Sequence, residues 1–342
     1  MTEHPLSTRV DGPAAAFAMR RGLAERLFVP SELLRLQSVA SIDVSTTITD
    51  FGTVPDAILS RIEVLITGWN SPRITSRELD RMPRLAAIVH AAGTVKEHLS
   101  GDVWDRGILV TSAAAANAYP VAEYAAAMIV LAGKGVLTAA QAYARGPRDY
   151  DVTAQHDIGN YRRTVGIIGA SRIGRRVIEL LEPLDLEIVL YDPYVGGDDP
   201  ILQLATSMPL DDVFRRSSIV SIHAPLLAET RGMIGARQLE LLPIGSTVIN
   251  TARAAILDQA ALAQSVRERG IRVILDVTDP EPLPDGHELW SLPGVFITPH
   301  IAGALGNELQ RLGESATREV ERFTAGLPPE HPVSRAALVA MA

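Results

Sequence analysis

Six short runs of aliphatic and β-branched residues, separated by segments of helical periodicity, restrict this chain to very few folds. They are Val165-Gly-Ile-Ile, Glu187-Ile-Val-Leu-Tyr, Ile219-Val-Ser-Ile, Thr247-Val-Ile-Asn, Arg272-Val-Ile-Leu-Asp and Val295-Phe-Ile-Thr. Such runs fit strands covered on both faces rather than strands with one wet side. Between them, Val177, Leu180 and Leu181 share one helical face of the segment starting at Ile173, and Leu257, Ala261, Leu262 and Val266 share one face of a later segment. Strand, crossover helix and strand in regular succession predict an α/β fold with a doubly wound parallel sheet.

The earlier part of the chain is sparser. Val64-Leu-Ile-Thr, Ala87-Ile-Val-His and Ile108-Leu-Val-Thr read as strands separated by helices, which predicts a second, smaller α/β domain. The last periodic segment, Leu305 to Phe323, lies beyond the final strand and before Pro328-Pro329. It is expected to cross back, making the smaller domain discontinuous: residues 1–115 with 305–342, around a larger domain of 116–304.

A chain of 342 residues suffices for about two domains. Lys and Arg number 32 against 40 Asp and Glu, a formal charge of −8, so nothing draws the chain toward nucleic acid or an anionic membrane. The lack of cysteine excludes disulfides, thiolate zinc sites and iron–sulfur clusters, and fits a reducing cytoplasm. No metal is expected, because no His-Glu-x-x-His or comparable spacing occurs. The most apolar run, Ala125 to Ala132, is shorter than the ~18 residues a bilayer span needs, so no membrane span is expected. Glu3, His4 and Asp11 precede the short apolar stretch Ala14 to Met19, unlike a secretory signal, so no export is expected.

Gly169-Ala-Ser-Arg-Ile-Gly174 follows a strand and opens a helix. A tight turn there would aim backbone N–H groups and the positive helix end at a pyrophosphate. The spacing is that of G-x-G-x-x-G with one defect: Ser171 stands where the middle glycine lets the backbone come closest to phosphate. Asp192 ends the next strand, where a carboxylate can accept both ribose hydroxyls and would repel a 2′-phosphate. Strand, turn, helix and acid in this order indicate a Rossmann dinucleotide site that takes NAD rather than NADP. A plain strand-end turn residue before Pro193 is the other use of Asp192.

Three ionisable residues stand near the carboxyl ends of successive late strands: Arg253, Glu281 and His300. That edge of an open α/β sheet is where ligands bind. Hydride exchange with a hydroxyl carbon needs a group that takes up or returns the alcohol proton, which an imidazole does near neutral pH. A carboxylate would orient that imidazole, and a guanidinium would grip a substrate carboxylate in bidentate fashion. Singly, each has an ordinary use, as a surface cation, a loop acid and a buried histidine; the joint placement carries the reading. His223 is a rival base, although His223-Ala-Pro-Leu reads better as a loop against the cofactor.

These segments together resemble the D-isomer-specific 2-hydroxyacid dehydrogenase family, in its phosphoglycerate dehydrogenase-like and hydroxypyruvate reductase-like branches. The resemblance runs from about Ala91 to Gly303 through Val165 to Gly174, Ser221-Ile-His-Ala-Pro-Leu226 with Glu229-Thr-Arg-Gly232, Ile249-Asn-Thr-Ala-Arg253, Leu275-Asp-Val277 with Glu281-Pro282, and Thr298-Pro-His-Ile-Ala-Gly303. It implies His300 as general acid/base, Glu281 as its partner and Arg253 as the clamp on a small 2-oxo acid. Asp276 would hold the nicotinamide side of NAD, Gly169, Ser171, Arg172, Ile173 and Gly174 its pyrophosphate, and Asp192 the adenosine ribose. His223, Pro225, Thr230, Thr251, Ala252 and Gly303 would line the cofactor groove. Ala92, Gly93 and Thr94 match the loop whose amides receive the substrate carboxylate. The resemblance further implies a split flavodoxin-like substrate domain and a homodimer.

Several positions depart from the pattern. Besides Ser171, Ala254 and Ala255 follow the arginine where small glycines are common, and Thr278-Asp279 replaces an aromatic and an acid. Lys96, Glu97 and His98 follow the carboxylate loop and are expected to be solvated charges at a helix start, with a substrate-selecting role as the alternative. A different class of function is an NAD(H)-binding scaffold of the corepressor type with little turnover, which steady-state NADH oxidation would separate from a dehydrogenase.

Overall fold

The computed structural model describes residues 12–146 and 158–340; residues 1–11, read above as unlike a secretory signal, lie outside them. The chain divides into two compact units, one running to Asn117 and resuming at Ala304, the other Ala118–Gly303.

The first unit holds a five-stranded parallel sheet of β1 (Ala14–Ala18), β2 (Ser41–Ile48), β3 (Val64–Thr67), β4 (Ala87–His90) and β5 (Leu109–Ser112). Its strand order is β2-β1-β3-β4-β5, the flavodoxin-like winding. Alternate residues go to opposite faces: Val64, Ile66, Ala87 and Val89 join one apolar cluster, and Leu65, Ile88 and Val110 another. Helix Leu309–Thr324 covers the first cluster through Leu309, Leu312, Ala316 and Val320. A Cβ on Gly313 would fall 1.9 Å from the Leu27 carbonyl oxygen, so this helix packs at backbone contact and only glycine fits there. Strands β1 and β2 carry no clear sequence signal, one being alanine-rich and the other a half-exposed edge.

The second unit holds seven parallel strands: β6 (Arg163–Ile168), β7 (Leu186–Tyr191), β8 (Thr206–Ser207), β9 (Ile219–Ile222), β10 (Thr247–Asn250), β11 (Arg272–Leu275) and β12 (Val295–Ile297). Their order, β12-β11-β10-β9-β6-β7-β8, reverses direction between β6 and β9, which makes a Rossmann switch point beside Gly169. Val220, Ile222, Val248 and Val273 fill one face, and Val165, Ile167, Ile219, Ile249 and Ile274 the other. Each such fully buried aliphatic side chain contributes on the order of 2 kcal/mol.

The apolar run Ala125 to Ala132 forms part of a longer helix, Ala114–Gly133, which is long and apolar enough to cross a membrane by length and composition. That differs from the short run expected, because the helix gathers Ala, Val and Ile on both sides of Glu123. Ala122, Ala125 and Ile129 are fully buried against the second sheet, the environment of a core helix.

Candidate active site

The turn after β6 is shaped by two glycines that accept no side chain. Gly169 sits at φ +99°, and a Cβ there would lie 2.6 Å from the Ala224 nitrogen; one on Gly174 would lie 2.0 Å from the Gly169 carbonyl oxygen. The His223 N–H donates to the Ile168 carbonyl at 2.7 Å, closing β9 against β6 at the switch point. Ser171 is the N-cap of helix Arg172–Leu181, and its hydroxyl accepts from the Gly174 N–H at 3.3 Å. The serine thus replaces glycine with a residue that suits a helix start, and keeps the turn closed.

Asp192 locks the same turn from the neighbouring strand end. Its two carboxylate oxygens accept from the Ala170 N–H at 2.7 Å and the Tyr194 N–H at 2.8 Å. A carboxylate offers about four lone-pair sites, so acceptor capacity remains for ribose hydroxyls. Arg172 is exposed at the helix start and Ile173 half-buried beside it.

Sequence reasoning missed the brace behind this turn. The Arg175 Nε–H donates to the Ala170 carbonyl at 2.9 Å, while Nη1 and Nη2 grip both oxygens of Asp199 at 2.7 and 2.6 Å. The paired guanidinium pulls the Asp199 carboxyl down to about 2. Nothing local in the sequence links two residues 24 apart, although an arginine inside the first helical turn is a usable hint.

The remaining groove residues sit in ordered loops. The Thr230 hydroxyl donates to the Pro225 carbonyl at 2.6 Å and accepts from the Leu227 N–H at 2.8 Å. Buried Asn250 shapes the turn after β10, accepting from the Ala252 N–H and donating to the Arg253 carbonyl, each at 3.0 Å. Thr251 Oγ1 and His223 Nδ1 are buried without a hydrogen-bond partner among the described residues, as polar atoms beside a ligand groove would be. Burial pushes the His223 imidazole down to about 3, which favours its neutral form. These glycine contacts, the free acceptor capacity of Asp192 and the unpartnered Thr251 hydroxyl fit a bound dinucleotide.

Arg253, Glu281 and His300 follow the neighbouring strands β10, β11 and β12. His300 Nδ1 lies 2.8 Å from Glu281 Oε1, both side chains being about half exposed. His300 has a left-handed backbone, φ 53°, uncommon for a residue with a Cβ. Its N–H donates to the Asp276 carbonyl at 3.1 Å. The Arg253 Nη1 donates to the Ala252 carbonyl at 2.7 Å.

Asp276, 1 % exposed, anchors the loop that presents His300. Its Oδ1 accepts from the Ile301 N–H at 2.8 Å and the Thr298 hydroxyl at 2.6 Å, and its Oδ2 from the Ala302 N–H at 2.9 Å. The chain of contacts extends outward, with Tyr124 Oη 2.8 Å from Thr298 Oγ1. The loop closes at Gly303, the last residue of this unit. Three of the roughly four acceptor sites of the Asp276 carboxylate are thus used within the loop.

In the first unit, Ala92, Gly93 and Thr94 follow β4. None of their N–H groups donates a hydrogen bond among the described residues; Ala92 is fully buried, and Gly93 and Thr94 are half-buried, which leaves two adjacent donors that an anion can reach. Beyond them Lys96 and Glu97 are exposed, but His98 is buried, 7 % exposed, contrary to the expected row of solvated charges. Its ring packs on another buried imidazole instead of facing water.

A parallel sheet of this winding, with a glycine turn at its switch point and an acid on the next strand, defines an NAD-binding oxidoreductase domain. Residues 126–302 match the family model for the D-isomer specific 2-hydroxyacid dehydrogenase NAD binding domain. The chain belongs to that family, whose members are NAD-dependent D-2-hydroxyacid dehydrogenases. It is 30% identical over 267 residues to a glyoxylate reductase of Thermofilum pendens, covering 75% of this chain and 77% of that protein. It is 27% identical over 309 residues to a D-3-phosphoglycerate dehydrogenase of Methanocaldococcus jannaschii, covering 87% of this chain and 56% of the relative. The chain thus spans about half the length of the phosphoglycerate dehydrogenases it matches. Among solved structures it is similar to a D-lactate dehydrogenase from Aquifex aeolicus complexed with NAD and lactic acid, with a TM-score of 0.69 and 26% identity over 91% of this chain and 96% of that one.

Proposed function

We propose that the chain interconverts a D-2-hydroxy acid and its 2-oxo acid, with NAD as the hydride carrier. The observation that carries this reading is the imidazole of His300 held by Glu281 at 2.8 Å, on the strand-end rim that also carries Arg253. Nicotinamide, when bound, supplies or accepts the hydride.

Glu281 engages Nδ1 of His300, so Nε2 is the nitrogen that faces the reacting oxygen. In reduction the protonated imidazole delivers its Nε2 proton to the oxygen that becomes the hydroxyl; in oxidation the neutral ring takes it back. The carboxylate neighbour orients the ring. Arg253 is assigned the substrate carboxylate, for which a guanidinium fork is the matching donor. The amides of Ala92, Gly93 and Thr94 keep the role expected of them toward a substrate carboxylate. Arg172, Ile173 and the capped turn hold the pyrophosphate, Asp192 the ribose, and Pro225, Thr230, Thr251, Ala252 and Gly303 the groove wall. The reading includes a homodimer working in the cytoplasm.

A panel of 2-oxo acids scored by loss of NADH absorbance, with NADPH alongside, tests the activity. The variant His300→Ala is expected to lose on the order of 10²- to 10⁴-fold in turnover while binding NADH nearly as before. Retained turnover in that variant overturns the assignment of His300. NADH binding with no turnover on any acid favours a scaffold instead.

A further inference from the structure

Two imidazoles that the proposed chemistry does not use flank the loop of Ala92, Gly93 and Thr94 along the chain. His90 ends β4 and is 3 % exposed; His98 is 7 % exposed. Their rings pack with centroids 4.6 Å apart at an interplanar angle of 34°. His90 Nδ1 is 2.9 Å from the hydroxyl of Thr67, a residue of β3 with no exposed surface. The backbone of Thr94 interacts with the same ring and favours its protonated form, the signature of an acceptor facing an N–H.

Both neighbours of the loop are therefore tied to one side chain. His90 is fixed by β4 through its own backbone, since its carbonyl accepts from the Ala113 N–H at 2.8 Å, and its ring reaches forward to Thr94. The N–H groups of Gly93 and Thr94, both half-buried, donate no hydrogen bond among the described residues. His98 closes the far end: its carbonyl accepts from the Ile74 N–H at 2.7 Å, while its ring covers His90. Burial lowers both imidazoles, His98 to about 4, so the pair stacks without mutual charge at neutral pH.

We propose that His90, clamped between the Thr67 hydroxyl and the Thr94 backbone and packed against His98, is a positioning residue that holds the Gly93 and Thr94 amides open toward the substrate carboxylate. The clamp itself is a statement about loop order; its effect on substrate rests on the function proposed above.

Three full-length variants test it: His90→Phe, which keeps a ring against His98 but removes both polar contacts; His90→Gln, the conservative replacement; and Thr67→Val, a milder change that leaves the imidazole in place. Hydrogen–deuterium exchange over residues 91–99 reads the loop directly, and KM, kcat and NADH affinity read its use. Expected for His90→Phe and Thr67→Val are faster exchange confined to that segment and about a tenfold rise in KM for the 2-oxo acid. In the same variants kcat and NADH affinity should change less than about threefold, with partial recovery in His90→Gln. Unchanged exchange in Thr67→Val and in folded His90→Phe overturns the proposal, as does a parallel fall in kcat, NADH affinity and melting temperature, which marks a merely structural role. Should the parent chain turn over no 2-oxo acid, the function proposed above falls, while local loosening on loss of the clamp still upholds the positioning.

Discussion

The guanidinium of Arg175 bonds both carboxylate oxygens of Asp199, at 2.7 and 2.6 Å, while its Nε–H holds the Ala170 carbonyl at 2.9 Å. One side chain thereby ties the dinucleotide turn to a loop beyond the next strand. Because a bidentate fork fixes direction as well as distance, Lys is a poor substitute. Arg175→Lys and Asp199→Asn are expected to weaken NADH binding about tenfold, measured by fluorescence titration, with little change in kcat at saturating NADH. An unchanged affinity would show that the turn holds its shape unaided.

Ser171 caps its helix through the Gly174 N–H. Removing the hydroxyl in Ser171→Ala is expected to cost about 1 kcal/mol of stability, and Ser171→Gly only a few tenths. The glycine variant also clears a Cβ from the pyrophosphate approach, so it should bind NADH more tightly than Ser171→Ala. Denaturant melts and NADH titrations of the two variants side by side check the ordering.

The His300 loop hangs on Asp276. In Asp276→Asn one oxygen becomes an NH₂ that faces either the Ala302 N–H or the Ile301 N–H, so a donor meets a donor. Expected is a fall in kcat of about 10- to 100-fold with a smaller change in NADH affinity. Tyr124→Phe breaks only the outer contact to Thr298 and should reduce kcat about threefold or less. Steady-state kinetics with a fixed 2-oxo acid read both.

Three buried imidazoles make the fold acid-sensitive. His90, His98 and His223 are all lowered by burial, His98 to about 4 and His223 to about 3, so the unfolded chain binds protons that the folded one refuses. Stability therefore declines as pH falls below ~6.5 and continues to decline toward those folded values, each histidine contributing a slope of up to about 1.4 kcal/mol per pH unit. Urea unfolding between pH 7 and 5 tests this, and His98→Gln should flatten the decline by about one proton. A stability independent of pH over that interval would contradict the burial of these rings.

Six of the seven strands of the second sheet were readable from sequence because they are short and mostly buried, so their composition alone marks them; β8, two exposed residues at the sheet edge, carries no such run. The first was readable only in β3, β4 and β5. Ala14–Ala18 is an alanine-rich strand whose composition suits a helix equally well, and Ser41–Ile48 alternates polar residues along an exposed edge. At the site, His300, Glu281 and Arg253 could be placed at strand ends by counting residues. The pairing of Arg175 with Asp199, of His90 with His98, and of Tyr124 with Thr298 could not. Each joins segments through side-chain direction, which has no local periodicity to reveal it. The burial of His98 also contradicted its neighbours, since Lys96 and Glu97 suggested a wet segment.

Each sheet is wholly parallel, so every connection leaving a strand's carboxyl end emerges along one rim. A laboratory that lengthens or exchanges one of those connections leaves strand registers, interior packing and the opposite rim as they were. Under the proposed function, retuning which acid is accepted becomes an exercise in loop grafting, open to combinatorial libraries that leave the scaffold alone.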